Sequence, residues 1–469
     1  MKKRGKKLTA LMMGLFMAMS LAACGSSGQE AGTKAPEQQT TKAEAGQTEA
    51  PQTGAAQTEA GQSGELTAEE GAEIEVAYWE GSESDKAAWD WALENLQKDH
   101  PEIKITAQTY PSSKYRDMLD TRVAGNDWPD VMRYTYQRLG KFKETDTMLD
   151  LSPYISKENL DDLVPAYKTA CEYDGKLVAM PHHTDVMAVY YNKRMFEESG
   201  IKVPQSIDES WSWDEITDIA RTLKKDHNLD YAFAGIWEKT SGYRYLPFVY
   251  MNGGAILNED QTEVTMDTPE VLEAIQLYET WRKEDLINNN AFTGETVANQ
   301  LFVAEQLAFT FSGSWHCSYM KENMPDPENW GVTYMPQKNG KTGSDMGGNG
   351  LFAYAGTKYP KAAAIVIEYL TDAEHMKGFC EAGNFIPVRK SLMEEGLTFS
   401  EFQNEMNLFL EIAGTVDPKM GADETSVPFQ NLNMAFCEAM DPMIVDGSKT
   451  AEEVVQTCQE TMTEILQDY

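Results

Sequence analysis

From about residue 72 onward, hydrophobic and polar positions fall into short strands alternating with amphipathic helices. Glu73-Ile74-Glu75-Val76-Ala77-Tyr78 alternates with a period of two until Trp79-Glu80-Gly81 breaks it, so a first strand ends in an aromatic and a carboxylate. A helix capped by Ser84 carries Trp89, Trp91, Leu93 and Leu96 and is stopped by Pro101. Ile103–Thr106 reads as the next strand and Tyr115–Val123 as the next helix. This alternation predicts an α/β fold with a mainly parallel sheet. Ligands of such sheets bind beyond the strand carboxyl ends, which puts Trp79 and Glu80 at a candidate rim.

The stretch Tyr173–Gly200 is rich in local signals. Tyr173-Asp174-Gly175-Lys176 is a tight hairpin turn, because Asp-Gly supplies the positive φ that primed turns need. Leu177–Met180 is then a short apolar strand ended by Pro181, and Val186–Tyr191 is a second apolar run. Between them lie His182, His183, Thr184 and Asp185, while Asn192 and Lys193 open a helix that Gly200 closes. Taken alone, such a polar patch between buried strands reads equally as a ligand site and as an ordinary connection. Trp211–Lys224 is amphipathic, with Trp213, Ile216, Ile219, Ala220 and Leu223 on one side, which assigns its tryptophans to packing. Ala234–Glu238 leaves a strand for a loop bearing Tyr243, Arg244 and Tyr245, and Trp281 packs at the end of the helix Leu272–Trp281.

The N-terminus follows other rules. Lys2, Lys3, Arg4, Lys6 and Lys7 precede an apolar run, Leu8–Leu21, too short to span a bilayer comfortably, and residues 1–23 read as an export signal. Residues 25–71 contain no aromatic residue and repeat the element QTEA at Gln47–Ala50 and Gln57–Ala60. Such a segment cannot bury enough apolar surface to offset its ordering entropy. Residues 24–71 are therefore expected to form a flexible tether, spanning on the order of 35–40 Å. The remaining chain is longer than one core usually serves, so two lobes are expected.

Charge and cysteines narrow the chemistry. The formal net charge is −35, and residues 1–23 hold five Lys/Arg and no acid, leaving −35 − 5 = −40 on the rest. That excludes a nucleic-acid binder and disfavours anionic ligands unless a local basic pocket intervenes. None of the six cysteines forms a C-x-x-C pair, and with Cys24 set aside an odd five remain, which predicts mostly buried free thiols. No metal, cofactor or catalytic residue is expected. Neighbouring His182 and His183 point to opposite faces of an extended chain. The chain has no H-E-x-x-H, G-x-S-x-G or EF-hand pattern, and Gly340-Lys341-Thr342 lacks the first P-loop glycine, with Met335 in its place.

Several ordered motifs carry a resemblance. Y-x-G-K-L-x-A-x-P at Tyr173–Pro181, then Tyr190-Tyr191-Asn192-Lys193 with Phe196 and Gly200, resembles the family 1 extracellular solute-binding proteins of ABC importers, the maltose-binding-like sugar receptors. Gly125 with Pro129-Asp130-Val131, Asp150–Tyr154, Asn252-Gly253-Gly254, Gly313–Trp315, Lys361–Thr371 and Gly383–Val388 are similar to further family elements, covering roughly residues 73–390. Leu21-Ala22-Ala23-Cys24 resembles the bacterial lipobox, which implies a lipid-anchored Cys24 at the outer face of the cell membrane.

The resemblance implies a two-lobe periplasmic-binding-protein-like fold of type II with its ligand cleft between the lobes. Residues 72–187 and 333–385 would form one lobe, and 188–332 and 386–469 the other. Crossovers are expected near Ala188–Tyr191, Val332–Pro336 and Gly383–Val388. The implied function is capture of a neutral sugar by a monomer that closes and delivers it to permease subunits. A polyamine receptor and a surface lipoprotein that binds or cleaves glycan are the alternatives. For a sugar, Trp79, Trp237, Tyr243 and Trp315 are stacking candidates, and Tyr134 and Tyr136 could stack or hydrogen-bond. Glu80, Asp185 and Asn349 are expected to meet hydroxyls, with the backbone at Gly348. Asp185 and Trp315 fall where the family places cleft residues, although a single tyrosine such as Tyr134 or Tyr136 is more often core than ligand contact.

Overall fold

The computed structural model describes residues 66–469 apart from 144, 236–239 and 289–294, and no side chain at 112, 113, 295 or 296. The expected export signal, Cys24 and nearly all of the expected tether lie outside the described residues. In chain order the strands are β1 (Glu73–Glu80), β2 (Lys104–Pro111), β3 (Val131–Thr135), β4 (Glu172–Tyr173), β5 (Lys176–Leu177) and β6 (Met180–His183). They continue as β7 (Met187–Asn192), β8 (Phe233–Ala234), β9 (Phe309–Gly313), β10 (Trp330–Thr333), β11 (Gln337–Lys338), β12 (Lys341–Thr342) and β13 (Asn349–Ala353). β4–β5 and β11–β12 are small hairpins, and the other strands form two sheets, ordered β2-β1-β3-β13-β6 and β10-β7-β9-β8.

Each sheet is the centre of one lobe, and each contains one strand that runs against the rest. In the first, β1 is parallel to β2 and β3, while β13 is antiparallel to both β3 and β6. In the second, β8 and β9 are parallel, while β7 is antiparallel to both β9 and β10. The reversed strands, β7 and β13, are those that follow a crossing from the other lobe. The remaining strands therefore present their carboxyl ends to the space between the lobes.

Local chemistry sets the element boundaries. The helix Glu83–Asp99 is capped by Ser82, whose hydroxyl accepts from the Asp85 N–H, so the cap lies two residues before the expected Ser84. Trp213–Asp226 starts with a full capping box of Ser212 and Glu215. The expected hairpin is present, with Asp174 and Gly175 at φ 48° and 72°. Pro181 does not end a strand as expected: it lies inside β6, an edge strand, where its missing N–H breaks no ladder between neighbours. Trp211, Trp213 and Trp281 are buried, as their helical spacing predicts. The five cysteines among the described residues are free and buried.

The crossings differ from the expected ones. Ala188–Tyr191 is not a hinge but the middle of β7, and the chain passes between sheets at Thr184–Val186. The second crossing follows β10 at Thr333, close to the expected Val332–Pro336. Gly383–Val388 stays with the first lobe: Thr184 bridges Ile386, and Arg389 is buried where its guanidinium donates to the Thr371 and Asn159 carbonyls. The third crossing comes later, since Thr398 still bonds Glu381 whereas the Phe402 ring lies 6.0 Å from Trp330 on β10. The folded part also starts before residue 72. Leu66 and Ala68 pack on the core, and the Glu69 carboxylate accepts from the Lys361 and Ala362 N–H groups, capping the helix Pro360–Thr371.

Where the C-terminal helices meet the first lobe, Lys143 is buried and donates to the Thr425 carbonyl at 2.9 Å. Burial lowers its pKa from 10.5 to about 8. Between those values the unfolded chain binds the proton that the folded one has released, so folding stability rises with pH. Urea denaturation at pH 7.5 and 9.5 should therefore show wild type gaining stability relative to Lys143→Met at the higher pH. An equal difference at both values would locate the effect elsewhere.

Candidate functional site

The first wall of the cleft is built on Arg133. Its position in the apolar strand Val131-Met132-Arg133-Tyr134-Thr135 buries it completely beneath the end of β1. One terminal nitrogen donates to both oxygens of buried Asp85, at 3.0 and 2.9 Å, and to the Trp79 carbonyl at 2.9 Å. The other lies 2.9 Å from His183 Nε2, which must accept because a guanidinium has only donors. Burial, then the Arg133 charge, hold the His183 pKa well below its ordinary value, so the ring is neutral and able to accept. The guanidinium carbon also sits 4.0 Å from the Trp79 ring centroid, holding that half-buried indole at the strand end. Asp85 additionally accepts from the Gly81 N–H, which fixes the turn after Glu80.

The opposite wall repeats the device. Arg244 lies 5.0 Å from the Tyr243 ring and 4.5 Å from the Trp315 ring. It donates at 2.8 Å to Asp345, a fully buried carboxylate that also accepts from the Met187 N–H. Trp315 folds back over the end of its own strand, which only glycine permits: a Cβ on Gly313 would meet the indole at 1.7 Å. Tyr243 is anchored by its N–H to Asn433 at 2.9 Å, and burial pushes its phenol pKa up, keeping it neutral.

Several expected ligand residues lie elsewhere. Tyr134 is buried against Phe142 and Phe352 and its hydroxyl has no partner, so it is a core residue. Tyr136 is buried too, its hydroxyl donating to the His183 carbonyl. Asn349 is buried 3.0 Å from His183 Nε2, within the Arg133 network rather than on the cleft surface. Gly348, at φ +91°, serves chain crossing: a Cβ there would meet the His183 carbonyl at 2.3 Å. His182 is enclosed by Trp89 and Phe379 without a hydrogen-bond partner. Both imidazoles touch Phe379, so the expected opposite orientation is not seen. Among the described residues no cluster is suited to a metal. Trp237 lies outside the described residues. Trp79, Glu80, Asp185, Tyr243 and Trp315 remain partly exposed.

Between the walls is a cavity of about 220 Å³. Thr135, Gln137 and Arg138 line it from the carboxyl end of β3, with Arg116 beside them. Tyr243 and Arg244 close it from the second lobe, and Gln430 and Asn433 from the helix Phe429–Asp441. Of the expected residues that are described, only Tyr243 is in its lining, and Trp315 adjoins through Arg244. The sequence reading passed over Arg116, Arg133, Arg138 and Asp345. A charge in the middle of an apolar strand was a legible sign for Arg133; the others had none.

A family model described as bacterial extracellular solute-binding protein matches residues 79–377. The chain belongs to that family. The multiple sugar-binding protein of Streptococcus mutans is 25% identical over 318 residues, covering 65% of this chain and 72% of that protein. The arabinooligosaccharide-binding protein of Halalkalibacterium halodurans is 22% identical, covering 79% of this chain and 84% of that protein. The GacH receptor of Streptomyces glaucescens, solved unliganded and with acarbose, aligns with a TM-score of 0.70 at 21% identity, over 85% of this chain and 99% of that one. Its likeness shows a shared two-lobe fold. Members of the extracellular solute-binding family are binding proteins, and membership assigns this one to the extracellular or periplasmic space.

Removing one partner of a buried ion pair leaves an uncompensated charge, so Asp85→Ala should cost about 3–5 kcal/mol in chemical denaturation. A loss below 1 kcal/mol would mean that Arg133 is neutralised in another way. Trp315→Ala should leave the melting temperature near that of wild type and weaken ligand binding by about 1–3 kcal/mol if the ring stacks. Unchanged affinity in calorimetry would remove it from the site.

Proposed function

We propose that this solute-binding protein is a lipid-anchored receptor that captures a sugar or oligosaccharide between its lobes and delivers it to the permease of an ABC importer. The observation that carries the reading is the paired arrangement of Trp79 and Trp315, one in each lobe, each held by a guanidinium that a buried carboxylate fixes. Sugars present C–H faces to flat rings and hydroxyls to planar polar groups. Trp79, Trp315 and Tyr243 supply the rings, and Glu80 and Asp185 the acceptors. Its relatives, a multiple sugar-binding protein and an arabinooligosaccharide-binding protein, support the same class.

A ligand touching both walls binds best when the lobes are closed, so it shifts the population toward that state. The lipobox at Cys24 and the tether support an anchored monomer whose folded part moves freely beside its permease.

A thermal-shift screen against oligosaccharides, polyamines and amino acids tests the reading. A ligand at 100 times its dissociation constant stabilises by about 2.7 kcal/mol, a clear rise in melting temperature. A rise with an oligosaccharide recovered intact afterwards is the expected outcome. A rise only with polyamines, or with no solute, would refute sugar capture.

A further inference from the structure

The cavity between the lobes has a charge opposite to that of the chain around it. Among the described residues its lining includes three arginines, Arg116, Arg138 and Arg244, and no carboxylate, in a protein with 75 Asp and Glu. Arg244 has a counter-ion in Asp345. Arg116, at the exposed rim, and Arg138, half-buried, make no ion pair or side-chain hydrogen bond among the described residues. Burial first, and then the charge of Arg116, lower the Arg138 pKa, with Asp120 among the groups acting in the opposite direction.

The surrounding acids do not neutralise this patch. Asp120 is taken by Lys141, and Asp345 by Arg244. Glu424, behind the lining, is buried with one oxygen unpartnered, and burial raises its pKa well above the usual carboxylate range, so it favours the neutral form. Asp185 stands across the cleft, near enough to act on Tyr243.

Two further features point to an oxyanion. The Gln430 side-chain nitrogen is buried in the lining and has no acceptor. The cavity also lies at the start of the helix Tyr136–Lys143, whose first turn contains no acidic residue, so its N-terminal field is unanswered.

Building on the sugar-receptor reading, we propose that the captured sugar is acidic, carrying a carboxylate or sulfate group that sits between Arg116 and Arg138 with the Gln430 amide donating to it. The ring carrying that group lies beside Tyr243, and the rest of the oligosaccharide extends toward Trp315. A planar guanidinium pair matches the oxygen geometry of such a group. The same cations repel a polyamine.

Titration calorimetry on the whole protein tests this with matched probes: trigalacturonate against galactotriose, a sulfated disaccharide against its unsulfated form, and inorganic sulfate. The expected result is binding of one acidic oligosaccharide at least about tenfold tighter than its neutral match, with the advantage shrinking as salt rises. Arg116→Gln and Arg138→Gln should each remove about tenfold from the acidic ligand alone, with melting temperatures unchanged. Preference for trigalacturonate identifies a carboxylate, and preference for the sulfated disaccharide a sulfate ester. Equal affinity for neutral and acidic matches, indifferent to salt and to both substitutions, would overturn the acidic assignment while leaving a sugar receptor. Binding of inorganic sulfate alone, or of no probe sugar while another solute class binds, would overturn both. The wild-type comparison needs no variant, so a misfolded Arg138→Gln protein does not spare the proposal.

Discussion

A guanidinium cannot shed its proton at any ordinary pH, so burying one obliges its neighbours to answer the charge. Arg133 is buried among the aromatic rings of the first lobe, and the carboxylate of Asp85, the Trp79 carbonyl and the neutral His183 ring are arranged around it. The end of β1, the start of the helix Glu83–Asp99 and the inner end of β6 are thereby each held one hydrogen bond from the same guanidinium. The first wall of the cleft is the outer surface of that arrangement.

The second lobe reaches a similar result with different parts. Arg244 is held by buried Asp345, a residue of the segment that returns from β10 to β13, and in turn supports Tyr243 and Trp315. In both lobes an aromatic ring at the cleft rests on a cation, and the cation on a carboxylate. A ring backed in this way loses little freedom when a ligand arrives, which is what preorganisation requires. Because Asp345 belongs to an interlobe segment and also accepts from Met187 at the start of β7, the wall and the crossing share one hydrogen-bond system.

Much was legible in the chain itself. The strand and helix alternation of the first lobe, the Asp174-Gly175 turn and the structural tryptophans at 211, 213 and 281 follow from periodicity and turn chemistry. The ends of elements were less so. Ser82 rather than Ser84 caps the first helix, and Pro181 sits inside a strand because β6 lies on a sheet edge, which no local signal reveals. Of the aromatics singled out, Tyr134 and Tyr136 are buried, Trp79 and Trp315 are partly exposed, and Tyr243 lines the cavity. Composition cannot separate these groups, since a ring suits a core and a sugar face equally well.

By itself the sequence determined the fold class and the order of motifs that marks a solute-binding protein. These depend on local periodicity and on spacing along the chain, which survive without knowledge of contacts. Only the tertiary structure decided that Asn349 and His183 serve a buried cation, and that glycines at 313 and 348 make room for a ring and a crossing. It also decided that unpaired arginines from separate elements share one cavity in an acidic protein. Net charge sums over the whole chain, whereas a ligand meets the few groups within several ångströms of it. Which groups those are is set by folding.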